Sequence, residues 1–298
     1  MKPKYYLALS TAVSAVCLAG FVPAAYSAET SATISNDKAL GNVERANKLI
    51  GKAVYTSDNQ KVGKLDNLIV DLETGRILYG VVNTGTLGVG GHDYAVAPGS
   101  FTDARGDTLH LNIDKAKLTA APEFSSNVDN PEQLAQASFV NQVYQYYGQS
   151  AWWQGGGNDA NAGTFHNVHK AKDVIGMKVK NVSNEDLGKV DNVIVNLPMG
   201  RVPYVILNPD SSLKLGNEYF ALPSNAITWN SDQKILVSDL NRDKLAAAPH
   251  FGKEQWQTLS DPAYGTRVYQ YYGKQPYFEG GTALQPTGQE RGKVYPNK

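Results

Sequence analysis

The hydrophobic pattern of the chain passes twice through the same series of periods. Lys52 to Thr56 reads as a short strand, and Ser57-Asp58-Asn59-Gln60 carries turn chemistry. Val62 to Leu72 is a β-rich apolar run, Glu73-Thr74-Gly75-Arg76 is the next turn, and Ile77 to Val82 is a third strand. Beyond a Gly-rich loop, Gly85 to Gly91, two further strands are predicted at Tyr94 to Ala97 and Thr108 to Ile113. Five or six short strands joined by tight turns predict a small, closed or partly closed antiparallel barrel. The period then becomes helical. Asn130-Pro131-Glu132 supplies an N-cap, a first-turn proline and an early acid, and Phe139, Val143, Tyr146 and Tyr147 follow at helical spacing up to Gly148. Later in the chain Asp261-Pro262 opens the same pattern, Tyr264, Val268, Tyr271 and Tyr272 continue it, and Gly273 closes it.

This recurrence is a duplication. Gly63-Lys64-Leu65-Asp66-Asn67-Leu68-Ile69-Val70 aligns with Gly188-Lys189-Val190-Asp191-Asn192-Val193-Ile194-Val195, and Gly75-Arg76 with Gly200-Arg201. Val143-Tyr144-Gln145-Tyr146-Tyr147-Gly148 aligns with Val268-Tyr269-Gln270-Tyr271-Tyr272-Gly273. The offset is about 125 residues, too long for a solenoid repeat, so each copy can be a domain. The sequence divides into a first repeat over 46–157 with its helical extension, a linker over 158–170 and a second repeat over 171–282. Residues 28–45 and 283–298 read as flexible ends. The fold class expected is mainly β with appended α, as two tandem barrels, each followed by a helical segment. The duplication predicts that the copies pack as a pseudo-twofold pair.

Residues 1–27 read as an address. Lys2 and Lys4 precede an apolar run to Ala25, and Ala25-Tyr26-Ser27 fits a cleavage site with the cut after Ser27. The rival is a retained anchor, but the run is rich in small and hydroxyl residues and broken by Pro23. The expected location is periplasmic or secreted. Cys17 is the chain's one cysteine, so the cleaved protein would hold no thiol and no disulfide. The 28 basic residues balance the 28 acidic ones, which leaves no electrostatic footprint for nucleic acid.

An Ile-Gly opening, Gly-Lys-x-Asp, an apolar strand, Gly-Arg, a second apolar strand and Tyr-x-x-Pro occur in this order in both copies. The residues are Ile50, Gly51, Gly63, Lys64, Asp66, Val70, Gly75, Tyr94 and Pro98, and Ile175, Gly176, Gly188, Lys189, Asp191, Val195, Gly200, Tyr219 and Pro223. The pattern resembles the PRC-barrel family over the β part of each copy. The resemblance implies a small β-barrel that serves as an assembly or docking module and carries no catalytic constellation. It assigns nothing to the helical Tyr-x-Tyr-Tyr-Gly segment.

Several residues invite chemistry. Gly63, Lys64 and Asp66, with Gly188, Lys189 and Asp191, could touch a ligand; the plainer reading is a bulge glycine and an aspartate bonded to a neighbouring turn. His166-x-x-His169 lies in the expected linker, has no counterpart in the first copy and lacks a third zinc ligand. The glycines of 85–91 precede a strand instead of the helix a phosphate loop requires. No Gly-x-Ser-x-Gly elbow occurs. No enzyme, cofactor or metal is therefore expected. Tyr146, Tyr147, Trp152 and Trp153, matched by Tyr271, Tyr272, Tyr277 and Phe278, either seal each helix onto its barrel or form a contact surface for a protein, a glycan or a membrane surface. These features predict a non-enzymatic interaction, assembly or scaffold module in the cell envelope, with an envelope protein or a second copy as partner. The alternative is a small-molecule or ion-binding protein that uses Asp66 and Asp191 in a cleft between the repeats.

Overall fold

The computed structural model describes residues 40–41, 43–85, 91–103, 106–125, 131–151 and 165–278. The expected signal segment, the loop tip at 86–90, Trp152, Trp153, most of the expected linker and the C-terminal tail lie outside the described residues.

The first repeat comprises β1 (Glu44–Arg45), α1 (Ala46–Leu49), β2 (Ala53–Tyr55), β3 (Lys61–Asp71), β4 (Arg76–Asn83), β5 (Asp93–Val96), β6 (Phe101–Asp103), β7 (Thr108–Leu111), α2 (Lys115–Thr119), α3 (Pro131–Leu134) and α4 (Ala137–Tyr146). The second comprises β8 (Val168–Lys170), α5 (Ala171–Val174), β9 (Lys178–Asn181), β10 (Asp186–Asn196), β11 (Arg201–Pro209), β12 (Glu218–Pro223), β13 (Thr228–Asn230), β14 (Ile235–Ser238), α6 (Arg242–Ala247), β15 (His250–Gly252) and α7 (Pro262–Tyr271).

The mainly β class with appended helices holds in both copies. Three details differ from the sequence reading. The strands of both repeats join one continuous hydrogen-bonded sheet that does not close on itself. Two of its ladders, β2 with β7 and β9 with β14, are parallel. The expected single helix of the first repeat is broken between Leu134 and Ala137. In the second repeat α7 is continuous, with the Asp261 carboxylate accepting from the Ala263 amide. Both tyrosine-rich helices stop as predicted at glycines with positive φ, Gly148 at 66° and Gly273 at 62°. There the Gln149 amide donates to the Tyr144 carbonyl and the Lys274 amide to the Tyr269 carbonyl, the wrapped C-terminal motif.

The long strands β3 and β10 organise each copy. Both start with apolar residues facing in and polar residues facing out, then become buried at every position from Asn67 and from Asn192 onward. Continuous burial means that both faces of the strand are covered. In the second copy alternate residues serve two cores. Val193, Val195, Val205 and Leu207 join the large core shared with the first repeat, whereas Ile194, Tyr204 and Ile206 face a second core beneath α7.

The expected flexible N-terminal segment and the expected linker supply the remaining strand partners, and they do so across the repeats. β1, which opens the first repeat, pairs with β10 of the second, with Glu44 opposite Val195 and Arg45 opposite Ile194. β8, which opens the second repeat, pairs with β3 of the first, with Ile69 opposite Lys170 and Val70 opposite His169. These two pairs in one ladder are the counterparts of the two in the other, so the exchange is reciprocal; the ladder of β8 adds a third pair, Asp71 opposite Val168. The short helices that follow pack on the same foreign strands, α1 on β10 and α5 on β3. Residues 44–45, expected as flexible chain, and 168–170, expected as linker, are thus strands. Even Leu40 is fully buried, in the core under α7. Two- and three-residue strands with polar members have no period from which to be read, and the hydrogen bonds that order them come from the other copy.

Candidate functional site

Among the described residues, Asp66 alone of the six candidate motif residues bonds across the seam between the repeats. Gly63 and Gly188 have φ of 151° and 142°, a region L side chains rarely enter, and a Cβ would overlap the carbonyl oxygens of Asn83 and Asn208. These glycines let β3 and β4, and β10 and β11, approach at a bend, next to register shifts in the neighbouring ladders. Lys64 and Lys189 point to solvent. Asp66 and Asp191 are half-buried and do different work. The Asp66 carboxylate meets the Lys172 ammonium of the second repeat at 3.0 Å, a partly exposed pair that contributes little stability. Asp191 accepts from the Tyr219 hydroxyl at 2.9 Å within its own repeat. Burial, then that bond, pushes Tyr219 up to about 12.

The sequence reading passed over the asparagines beside these aspartates. Asn67 and Asn192 are buried. The Asn67 side-chain oxygen, Oδ1, accepts from its neighbour's amide, Leu68, at 2.9 Å and from the Lys172 amide of the other repeat at 3.3 Å. The Asn192 side-chain oxygen, Oδ1, accepts from the Val193 amide at 3.2 Å and from the Asn47 amide of the other repeat at 3.4 Å. The cross-repeat donors are the second residues of α5 and α1, so each asparagine caps the helix that the other copy delivers. Alternation along the strand could not have found them, because a register shift between Leu65 and Asn67 breaks the period of two and turns Asn67 onto the face of Ile69, opposite Leu65.

Further along the seam the copies diverge. Asn196 donates from its amide to the Leu40 carbonyl at 3.0 Å and fastens the leading segment. Its counterpart Asp71 is a carboxylate and cannot donate; it accepts from the Thr74 hydroxyl at 2.8 Å and the Glu73 amide at 3.1 Å. Burial raises its pKa against the lowering effect of these bonds. The corresponding fastening in the first repeat is made by the backbone, from the Leu72 amide to the Asn167 carbonyl at 3.0 Å.

The aromatic sets close each helix onto its own repeat. The Tyr146 hydroxyl donates to the Lys117 carbonyl at 2.6 Å and Tyr271 to the Lys244 carbonyl at 2.5 Å. Tyr147 is buried, Tyr272 half-buried, and Phe278 is fully enclosed against Tyr269. Tyr277 lies under the Arg201 guanidinium at 4.6 Å. Of these described rings, Tyr271 alone is more than a third exposed, at 39 %.

His166 is exposed, while His169 is buried edge-on to Trp229 with a ring nitrogen 2.9 Å from the Asn167 side-chain oxygen. Among the described residues no three His, Cys, Asp or Glu side chains are grouped to hold a metal ion, and no helix is long and apolar enough to cross a membrane.

The PRC-barrel domain family model matches residues 41–118 and 166–245, together more than half of the chain. The chain belongs to the PRC-barrel family, as two tandem copies. The matched ranges begin at the exchanged segments, so the leading strand is part of each family unit. No curated protein matches the chain.

Proposed function

We propose that this PRC-barrel chain is a non-enzymatic interaction and scaffold module of the cell envelope, delivered by the signal segment read at residues 1–27. One observation carries the reading. The buried polar groups of the duplicated motif are directed at the opposite repeat and not into a cavity, with Asn67 and Asn192 each bonded to the other copy's backbone. Motif residues that hold one module to another are the parts of an assembly device. With the copies related by a pseudo-twofold axis, any outward docking surface common to both is presented twice, which favours a partner that is itself symmetric or repeated.

Crosslinking in intact envelopes tests this reading, with purified chain used to reconstitute any complex found. A partner that binds purified chain, and that is lost on Trp152→Ala or Trp153→Ala substitution in a folded protein, supports it. A chain that crosslinks to nothing, and that turns over a compound from a broad hydrolase panel, overturns it.

A further inference from the structure

The second repeat carries an open groove of about 680 Å³ between α7 and the segment Ala247–His250. That volume lies within the usual range of small-molecule sites. Tyr264 is at its floor, and Arg267, Gln270 and Tyr271 line its helical side. Three of the lining positions differ in chemistry from their counterparts in the first repeat. Tyr264 stands where the first repeat has Phe139, Arg267 where it has Gln142, and His250 where it has Glu123. Each change removes an acid or adds a hydrogen-bond donor or a cation, and all three fall in one groove. Arg267 lies over the Tyr264 ring at 5.6 Å, and none of the described carboxylates forms an ion pair with it. Tyr264 is 3 % exposed and its hydroxyl has no hydrogen-bond partner. Packing does not account for that hydroxyl, because phenylalanine fills the equivalent place in the first repeat and an unpaired buried hydroxyl is destabilising.

We propose that this groove binds a ligand that carries one carboxylate on an apolar arm. The guanidinium fork of Arg267 matches a single carboxylate in geometry and in charge, whereas a phosphate dianion would keep a negative charge uncompensated. The apolar arm lies along Ala247–Pro249 and the exposed ring of Tyr271. The Tyr264 hydroxyl, unpaired in the structure, is the second donor the site offers. The site lies on one repeat, away from the seam, and is independent of the scaffold reading.

The test is an NMR titration of the full ¹⁵N-labelled chain with N-acetylphenylalanine, its neutral amide and inorganic phosphate. Saturable shifts confined to α7 and residues 247–250 are expected with the carboxylate, with a dissociation constant on the order of 1 mM. The neutral amide and the Arg267→Gln protein should each bind at least about tenfold more weakly, a difference of about 1.4 kcal/mol. Tyr264→Phe should weaken binding by a smaller factor. Both substitutions install first-repeat residues, and Arg267 is exposed, so folding is retained. His250→Glu gives an independent arm, since restoring the acid should weaken the carboxylate by repulsion. The proposal is overturned by an absence of saturable shifts, by equal binding of acid and amide, by phosphate binding as tightly as the carboxylate, or by an Arg267→Gln protein that binds unchanged.

Discussion

Arg76 and Arg201 are each other's counterpart in the duplicated sequence and lie directly opposite one another in a single antiparallel ladder. The Ile77 amide donates to the Gly200 carbonyl and the Val202 amide to the Gly75 carbonyl, both at 2.9 Å. These two bonds are also counterparts, so the pseudo-twofold axis passes between the arginines. The two guanidinium groups consequently face like charge. Burial, and then the charge of Arg201, push Arg76 down to about 9, which still leaves it cationic at neutral pH. The ring of Tyr277 under Arg201 offsets part of the repulsion.

The bond pattern makes Arg76 and Arg201 a non-hydrogen-bonded pair, in which Cα atoms lie about 4.5 Å apart. That spacing is within disulfide reach. The Arg76→Cys, Arg201→Cys protein, produced without residues 1–27 and hence without Cys17, should form one intramolecular disulfide under mild oxidation. Its mobility on a non-reducing gel and its loss of free thiol report the bond. Persistent free thiols, or bonds that form only between molecules, would refute the register.

Much of each repeat could be read from the sequence, because its determinants are local. The run from Val62 to Leu72 announces β3, and Gly148 and Gly273 announce the helix ends. The assembly could not be read, because its determinants are short and distant. Glu44 and Arg45 are polar and only two in number, and their ladder partners lie in the other copy. At the motif itself the eye goes to Asp66, whose carboxylate pairs at the partly exposed surface, while the neutral Asn67 beside it makes the buried cross-repeat bond. Chemistry that looks reactive draws attention, but burial decides which residue joins the copies.

The exchange makes the two ends of the molecule interdependent. Leu40 is fully buried against Ile194, Tyr204 and Phe278 of the second repeat, although it precedes the first. Leu40→Ala should cost about 2–5 kcal/mol, as for other buried leucines. Hydrogen exchange will locate the loss. Protection should fall in α7 and at residues 194–196, with β3 and α4 unchanged. Loss of protection in the first repeat instead would contradict the exchanged arrangement.

The seam should also weaken in acid. Burial lowers the His169 pKa from 6.5 to about 4, so the folded protein holds a neutral ring that the unfolded chain protonates. Between those two values the unfolded state binds more protons, and stability falls as pH is lowered from about 6.5 toward 4. The full loss is of order 3 kcal/mol. Asp71, with its pKa raised by burial, contributes with the opposite sign as it protonates. Denaturant midpoints measured across this pH range in the wild type and in His169→Asn separate the two. The variant should lack the imidazole's share of the slope, and identical slopes would exclude His169 as its source.

The duplicated helices are not interchangeable, and one position decides why. Gly265 in α7 corresponds to Val140 in α4. A Cβ at Gly265 would lie 2.6 Å from the Tyr204 hydroxyl, 2.7 Å from the Phe278 ring and 2.9 Å from Leu40. The first two neighbours are rings held in a filled core, and Leu40 belongs to the strap that the leading segment lays across the second repeat. None can withdraw without opening a gap elsewhere. Gly265→Val therefore restores the first-repeat residue and improves helix propensity over glycine, yet should destabilise the protein by about 1–3 kcal/mol or more through overpacking. Coupling tells strain from loss of the strap. In a double-mutant cycle with Leu40→Ala, the truncated side chain vacates part of the contested space, so the combined cost should be smaller than the sum of the single costs. Additive costs would mean that Gly265 is kept for a reason other than the approach of the leading segment.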